Sequence, residues 1–398
     1  MPTTVFVLGF AIFAQGTSEL MLAGLVPDIA VDLGVSVPQA GLLISGFGLG
    51  MVIGAPVLTI ATLRWPRRRA LLLFTGVFVL AHVVGATSSS FETLFASRFI
   101  GAFVYAGFWA VAASTAMELV PGHRRGRAMS IVAGGLTVAT VIGLPAGTWI
   151  GQNFGWRGAF WAVVVLSLPA MAGVAARVPA LTPSEPPRVR DELRAMARPR
   201  LWLSYAMTAA STAALLVTFS YLGALLIDTT GLAPAWVPAV LSVYGVGALL
   251  GIALGGRAFD RWPVRVLGVG FAGLLVCSAL IALTAESVLP MVILVFLLGA
   301  TGFGANPALN ARVFGIAPAA PALVAAGSTA SFNVGISVGP WLGGLVLTAG
   351  FGYPSVGWIG AALALVALVL LGAETLALGR ERRAPTSGTK ALPIVVVR

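Results

Sequence analysis

The chain has 398 residues, of which 58% are hydrophobic and only 9% charged; soluble domains carry about 25% charged residues. So few charges cannot cover a water-soluble surface, which leaves a polytopic membrane protein. The formal net charge of +11 is explained by basic loops held on one side of a bilayer and calls for no nucleic-acid partner.

The same inventory argues against catalysis. Lys390 is the only lysine, so the Gly-Lys-Ser/Thr of a P-loop ATPase is absent. His82, His123 and Cys277 are the only histidines and cysteine, too few for a metal ligand set or an internal disulfide. His82 reads as a packed span residue, His123 as a loop residue and Cys277 as a small buried hydrophobe. The chain is read as a non-enzyme without cofactor or metal. Its arginine, alanine and glycine bias fits a high-GC genome.

Apolar runs of roughly twenty residues predict twelve spans, near 4–26, 39–61, 69–88, 91–118, 128–151, 157–177, 201–227, 236–256, 264–284, 287–310, 321–349 and 354–378. The first run lacks a basic leader and a small-residue cleavage site, so it reads as a retained span. It carries Glu19 inside its apolar stretch. A charge near a bilayer centre costs roughly 2.5–3.5 kcal/mol on insertion scales, which makes an intramembrane acid a functional candidate. The structural alternative is a cap on a helix break near Gly16, Thr17 and Ser18.

Arginine and lysine set the orientation. Twenty-two of the 24 basic residues fall in segments 62–69, 119–127, 177–200 and 257–265, at Arg312, and in the tail from Arg380. The alternate loops carry none, which predicts both termini in the cytoplasm. The exceptions are Arg157, at the lip of an outer loop, and Arg98, inside the fourth span. Counting 1.5 Å per residue, Glu19 and Arg98 both lie about 10 Å inside the outer boundary. Equal depth lets the two meet wherever spans one and four line one cavity. The alternative for Arg98 is bonding to backbone carbonyls.

Segment 179–200 opens with Pro179, Pro183, Pro186 and Pro187, continues into a charged run and reads as a cytoplasmic linker. It separates an N-terminal bundle (1–178) from a C-terminal bundle (201–380); 381–398 reads as a tail. The halves repeat. Trp65 and Pro66 recur as Trp262 and Pro263 at a separation of 197, Gly143 and Gly147 as Gly339 and Gly343 at 196. Parallel six-span repeats are a transporter architecture with the substrate site between the halves. The expected fold is all-α, with twelve transmembrane helices in two pseudo-symmetric six-helix bundles.

These features together resemble the major facilitator superfamily. Its loop pattern Gly-x-x-x-Asp-Arg-x-Gly-Arg-Arg is similar to Gly256-x-x-x-Asp260-Arg261. The first copy keeps Arg64, Arg67 and Arg68 but has Leu63 at the acidic position, so the latch between helix ends that the family builds there lacks its acid; a purely topogenic charge cluster is the other reading. Gly143-Leu-Pro145-Ala-Gly147 resembles the span-five motif of drug/proton antiporters, and Gly335-x-x-x-Gly339-Pro340 echoes it in span eleven. Small residues at every fourth position bring helices close, and the prolines bend them. Ser97-Arg98-x-x-Gly101 resembles the span-four motif linked to proton coupling, and since spans one and four both line the cavity in this family, the resemblance implies that Glu19 and Arg98 meet there as a proton-coupling pair. The runs at 14–30, 50–56, 65–71 and 155–161 are similar to actinobacterial chloramphenicol exporters.

The resemblance implies proton-driven efflux of a small amphipathic drug by a monomer in the inner (cytoplasmic) membrane, powered by the proton gradient. A neutral hydroxylated amide drug wants aromatic walls and uncharged hydrogen-bonding groups. The candidates are Tyr105, Phe108, Trp109, Tyr221, Asn306, Asn310 and Asn333, each with helix packing as the alternative. Export of a sugar or metabolite, and ligand sensing without transport, are the competing functions.

Overall fold

The computed structural model describes residues 1–62, 65–121, 124–180, 197–259, 261–317 and 321–383. Among them, twelve helices are long and apolar enough to cross a membrane. They are α1 (Thr3–Gly24), α2 (Val37–Leu58), α3 (Arg67–Thr87), α4 (Phe91–Glu118), α5 (Arg127–Phe154), α6 (Trp156–Arg177), α7 (Pro199–Ser220), α8 (Pro234–Phe259), α9 (Pro263–Thr284), α10 (Val288–Ile316), α11 (Gly327–Thr348) and α12 (Pro354–Leu376). No strand occurs among the described residues. Large apolar side chains such as Leu80, Ile142, Leu283 and Val369 point outward, as suits a hydrocarbon solvent. The chain is a multi-pass membrane protein.

Buried apolar residues of α1–α6 form one cluster, and those of α7–α12 form the others, one of which also takes in Ala23 of α1 and Leu144 of α5. Two seams inside each cluster follow the repeat. A Cβ on Gly143 would sit 2.2 Å from Thr17 Oγ1, and one on Gly147 would sit 2.7 Å from Met21 Cβ. Successive turns of α5 thus lie in the groove of α1. Gly339 does the same in α11, 2.7 Å from the Ala213 carbonyl of α7. Bare glycine at these positions allows the close approach that the small-residue spacing predicts. The second seam pairs Gly50 with the Phe99 carbonyl, and Gly247 with the Phe296 carbonyl, each partner 197 positions on.

Proline acts differently in the two motifs. Pro145 lacks an amide hydrogen and crowds the carbonyl four residues back. The helix answers with a wide π turn over Ala139–Gly143, the usual relief for a disrupted ladder. Pro340 sits inside the continuous helix Pro321–Thr348; the carbonyl of Pro340 accepts the Tyr221 hydroxyl at 2.8 Å.

The sequence expectation that span seven reaches residue 227 is corrected. Regular helix stops at Ser220, because Tyr221 leaves the helical backbone region, and a π turn follows at Leu225–Thr229. The first span likewise tightens into a 3₁₀ turn at Leu22–Gly24. These two interrupted ends meet, with Gly223 against the Ala23 carbonyl. Gly41 of α2 packs on the Tyr221 phenol, and Gln152 Nε2 donates to the Pro234 carbonyl at 2.9 Å. All three contacts join the halves near the arginine-poor face. Toward the middle of the spans, Gly48 of α2 meets Ser337 of α11, and Gly245 of α8 meets Thr140 of α5.

Several arginines at the helix ends have specific partners. Arg67 Nη2 donates to Glu118 Oε1 at 2.7 Å, so the end of α4 supplies the acid that position 63 lacks. Arg68 is exposed, and the Arg261 guanidinium lies 4.9 Å above the Trp262 ring. Arg64, His123, Asp260 and linker residues 181–196 lie outside the described residues. At the opposite face, Asp32 accepts from Trp156 Nε1 at 3.0 Å and from Arg157 Nη1 at 2.6 Å, while Arg157 Nη2 donates to the Ser88 carbonyl. Arg157, an exception to the charge pattern, thus ties three elements of the first bundle together. In the second bundle, buried Glu374 of α12 is held by Arg312 of α10 and, at 3.5 Å, by Arg200 of α7.

Candidate functional site

A cavity of about 280 Å³ lies between the two bundles. It sits on the α1, α2, α4, α5, α7, α10 and α11 faces and is shut toward the arginine-poor face by the contacts above. Its walls differ in chemistry. The first bundle contributes Glu19, Phe47, Tyr105 and Trp109; the second contributes Ser211, Thr212, Asn306, Asn310, Thr329 and Asn333. Among the described residues, Glu19 is the only charged residue lining it.

The aromatic wall is built on α4 and α2. Tyr105 packs edge-on to Trp109, with ring centres 6.5 Å apart, and lies 6.1 Å from Phe47. Phe108 does not join it. Phe108 is fully buried inside the first bundle, because it lies about 60° around the helix from Tyr105 whereas Trp109 lies about 40° away on the other side. Tyr221 is the second correction. It is wholly buried, its hydroxyl is committed to Pro340, and its ring fills the space over Gly41 and Gly343. It clamps α7, α11 and α2 and leaves the cavity to others.

The three asparagines do face the cavity. Asn310 Oδ1 accepts from Ser328, and its Nδ2 donates to the Asn306 carbonyl at 3.1 Å. Asn333 Nδ2 donates to the Thr329 carbonyl at 2.9 Å, one turn back, leaving its buried Oδ1 with no protein partner. A buried acceptor left unmet costs about 1–3 kcal/mol, so a donor from a bound molecule would be favoured at this atom.

Glu19 and Arg98 are close in space but not joined. Glu19 lines the cavity. Arg98 is 2% exposed and sits behind it, donating from Nη1 to Ser18 Oγ at 2.5 Å with Phe47 4.4 Å from its guanidinium carbon. No ion pair links the two side chains. The expected direct pair is therefore corrected: adjacent residues Ser18 and Glu19 point different ways, and Arg98 reaches the first. His82, read from sequence as packing, shares the Ser18 hydroxyl with Arg98. A histidine buried in an apolar span was itself the signal that could have found it. One repeat later, Glu19, Arg98 and His82 correspond to Leu216, Val295 and Ala279; the charged group exists in one half only.

The family model of the Major Facilitator Superfamily matches residues 8–240 and 201–395. The chain belongs to the major facilitator superfamily. It is 41% identical, over 93% of its length and 95% of the relative's, to a chloramphenicol resistance protein of Streptomyces lividans. It is 32% identical, over 92% of its length and 94% of the relative's, to the inner membrane transport protein YdhP of Escherichia coli K12. Among solved structures, a peptide transporter, POT, superposes with TM-score 0.73 at 16% identity, covering 96% of each chain. The nucleoside transporter NupG superposes with TM-score 0.71 at 15% identity, over 93% of this chain and 98% of its own. These structural matches establish the fold alone. As a superfamily member this protein is a membrane transporter.

Proposed function

We propose that this transporter exports a small amphipathic drug, with chloramphenicol the favoured substrate, in exchange for protons. The observation that carries the reading is the central cavity itself: an aromatic wall, an amide and hydroxyl wall, and Glu19 as the one carboxyl among the described lining residues. A neutral aromatic amide with hydroxyl groups matches both walls. Its ring stacks on Tyr105 and Trp109, and a hydroxyl or amide hydrogen meets Asn333 Oδ1. The similarity to the Streptomyces chloramphenicol resistance protein supports the same class of substrate.

Export is the direction that the resemblance to drug exporters implies, and the closed contacts at the arginine-poor face are consistent with the loading state of such a cycle. With the basic loops in the cytoplasm, and both termini with them, the cavity is shut toward the outside and loads from the inside. The protein then works as a monomer in the cytoplasmic membrane with no cofactor beyond the proton gradient. When the bundles rock to open the outer side, Glu19 takes a proton and drug leaves; when they rock back, the proton is lost inward. The motif residues Gly143, Pro145, Gly147, Gly339 and Pro340 serve this cycle by shaping the close helix seams, and Arg67 by tying the start of α3 to the end of α4.

Chloramphenicol accumulation in cells expressing the protein, with and without a protonophore, tests the reading. Lower accumulation that the protonophore abolishes is expected; accumulation equal to that of control cells refutes it. The density of amide and hydroxyl groups on the second wall favours a sugar or polyhydroxylated metabolite as the second reading, distinguished by whether labelled sugar or drug is the better efflux substrate in the same cells.

A further inference from the structure

Behind the cavity, α1, α3 and α4 bury a chain of polar groups whose hydrogens are fixed by elementary chemistry. His82 Nδ1 lies 2.8 Å from the Phe78 carbonyl. A carbonyl only accepts, so Nδ1 carries a proton; a second buried cation beside the Arg98 guanidinium is unfavourable, so the imidazole is neutral and Nε2 is bare. Ser18 Oγ lies 2.5 Å from that Nε2 and donates its hydrogen there. The hydroxyl oxygen is then free to accept, and Arg98 Nη1 donates to it at 2.5 Å. The chain runs one way: Arg98 to Ser18 to His82 to the α3 backbone. Ser18 is wholly buried and His82 is 2% exposed; the Phe78 ring, 4.1 Å away, fixes the imidazole plane.

Arg98 is left short of partners. Its Nε and Nη2 are buried with no acceptor. A buried guanidinium that loses one support turns to another acceptor, and Glu19, the residue next to Ser18 on α1, carries the carboxyl within its reach. We infer that Ser18 and His82 are positioning residues that hold Arg98 out of ion-pair contact with Glu19 and so keep the Glu19 carboxyl available for proton exchange through the cavity. This rests on the proton-coupled reading above. The titratable groups around Glu19 are Arg98 and Tyr105 on α4 and, through Ser18, His82 on α3; α2, α5 and α7 present Phe47, Leu136 and Leu216, which carry no charge.

The test is the pH profile of chloramphenicol export in proteoliposomes, paired with equilibrium drug binding at neutral pH. Ser18→Ala and His82→Leu remove the tether. Each is expected to move the profile to lower pH by about one unit or more, as a guanidinium beside a carboxylate does, with drug binding unchanged. Ser18→Thr and His82→Gln keep a hydroxyl and an acceptor and are expected to keep the native profile. If Ser18→Ala does not fold, the two His82 variants decide. Profiles that stay native in Ser18→Ala and His82→Leu while binding is intact overturn the positioning role and leave proton-coupled export standing. A wild-type protein whose export ignores pH overturns the proton-coupled reading, and this inference with it.

Discussion

Gly48 on α2 and Ser337 on α11 face each other so closely that a Cβ on Gly48 would lie 2.5 Å from the Ser337 hydroxyl oxygen. Gly245 and Thr140 repeat the contact between α8 and α5, each residue 197 positions from its counterpart. The two bundles thus touch through a matched pair of glycine contacts. Overpacking a fitted interface costs about 1–3 kcal/mol. Gly48→Val is expected to shift the molecule away from closure at the arginine-poor face. A cysteine at cavity position Leu20, in a background with Cys277 replaced by serine, should react faster with an impermeant maleimide applied from that face; unchanged labelling would refute the coupling.

Glu19→Gln removes the only charge lining the cavity among the described residues. Proton-driven chloramphenicol export in vesicles is expected to fall at least about tenfold, equivalent to about 1.4 kcal/mol, while equilibrium drug binding persists. Full export from this variant would sink the mechanism and leave the transporter assignment untouched.

Asn333 offers the buried acceptor that the protein does not satisfy. Asn333→Leu keeps the volume and removes the oxygen. Drug affinity should weaken by about 1–1.5 kcal/mol, the usual worth of one hydrogen bond, when measured by tryptophan quenching or calorimetry. Unaltered affinity would place the drug elsewhere in the cavity.

Glu374 holds Arg312 and Arg200 at the arginine-rich face with its own side chain 2% exposed. Breaking a buried pair from one side costs about 3–5 kcal/mol because the other charge stays buried alone. Glu374→Ala is expected to lower the melting temperature in detergent sharply. Adding Arg312→Leu should restore part of the loss; a double variant no better than the single would refute the charge explanation.

Asp32 gives a pH signature outside the membrane. Hydrogen bonds from Arg157 and then Trp156 hold its carboxyl below the usual carboxylate range. A group whose folded pKa is depressed adds stability above its unfolded pKa, near 3.8, and loses that contribution as pH falls through the folded value. Both partners are substantially exposed, so the contribution is under about 1 kcal/mol. Wild type should melt slightly above Asp32→Asn at pH 6, and the gap should close as pH drops below 4.

The fold was legible because hydrophobic length and the arginine pattern are one-dimensional signals, and a bilayer reads them directly. The glycine motifs were legible for a related reason: spacing by four names a helix face whatever its partner. Rotation about each helix axis was the hidden variable. Counting residues placed Glu19 and Arg98 at one depth, but one residue of rotation separates Glu19, facing the cavity, from Ser18, facing Arg98. Phe108 fell off the aromatic wall by the same angular logic. Tyr221 was misplaced because nothing local announces that a tyrosine at a helix break will fill the space over glycines of two other spans. Glu118 escaped notice because the acid that completes the Arg67 contact comes from α4 and not from the loop.

The mismatch between an evenly duplicated scaffold and a one-sided chemistry gives this molecule a built-in control experiment. Seams and interface contacts come in twin copies, so a substitution in one copy can be scored against the same substitution in its twin. Glu19, Arg98 and His82 have only leucine, valine and alanine as counterparts. Grafting acid and base onto Leu216 and Val295 would ask whether the engine can be moved to the other side of a symmetric chassis, or whether the amide-rich half must stay passive for ligand and proton to take turns.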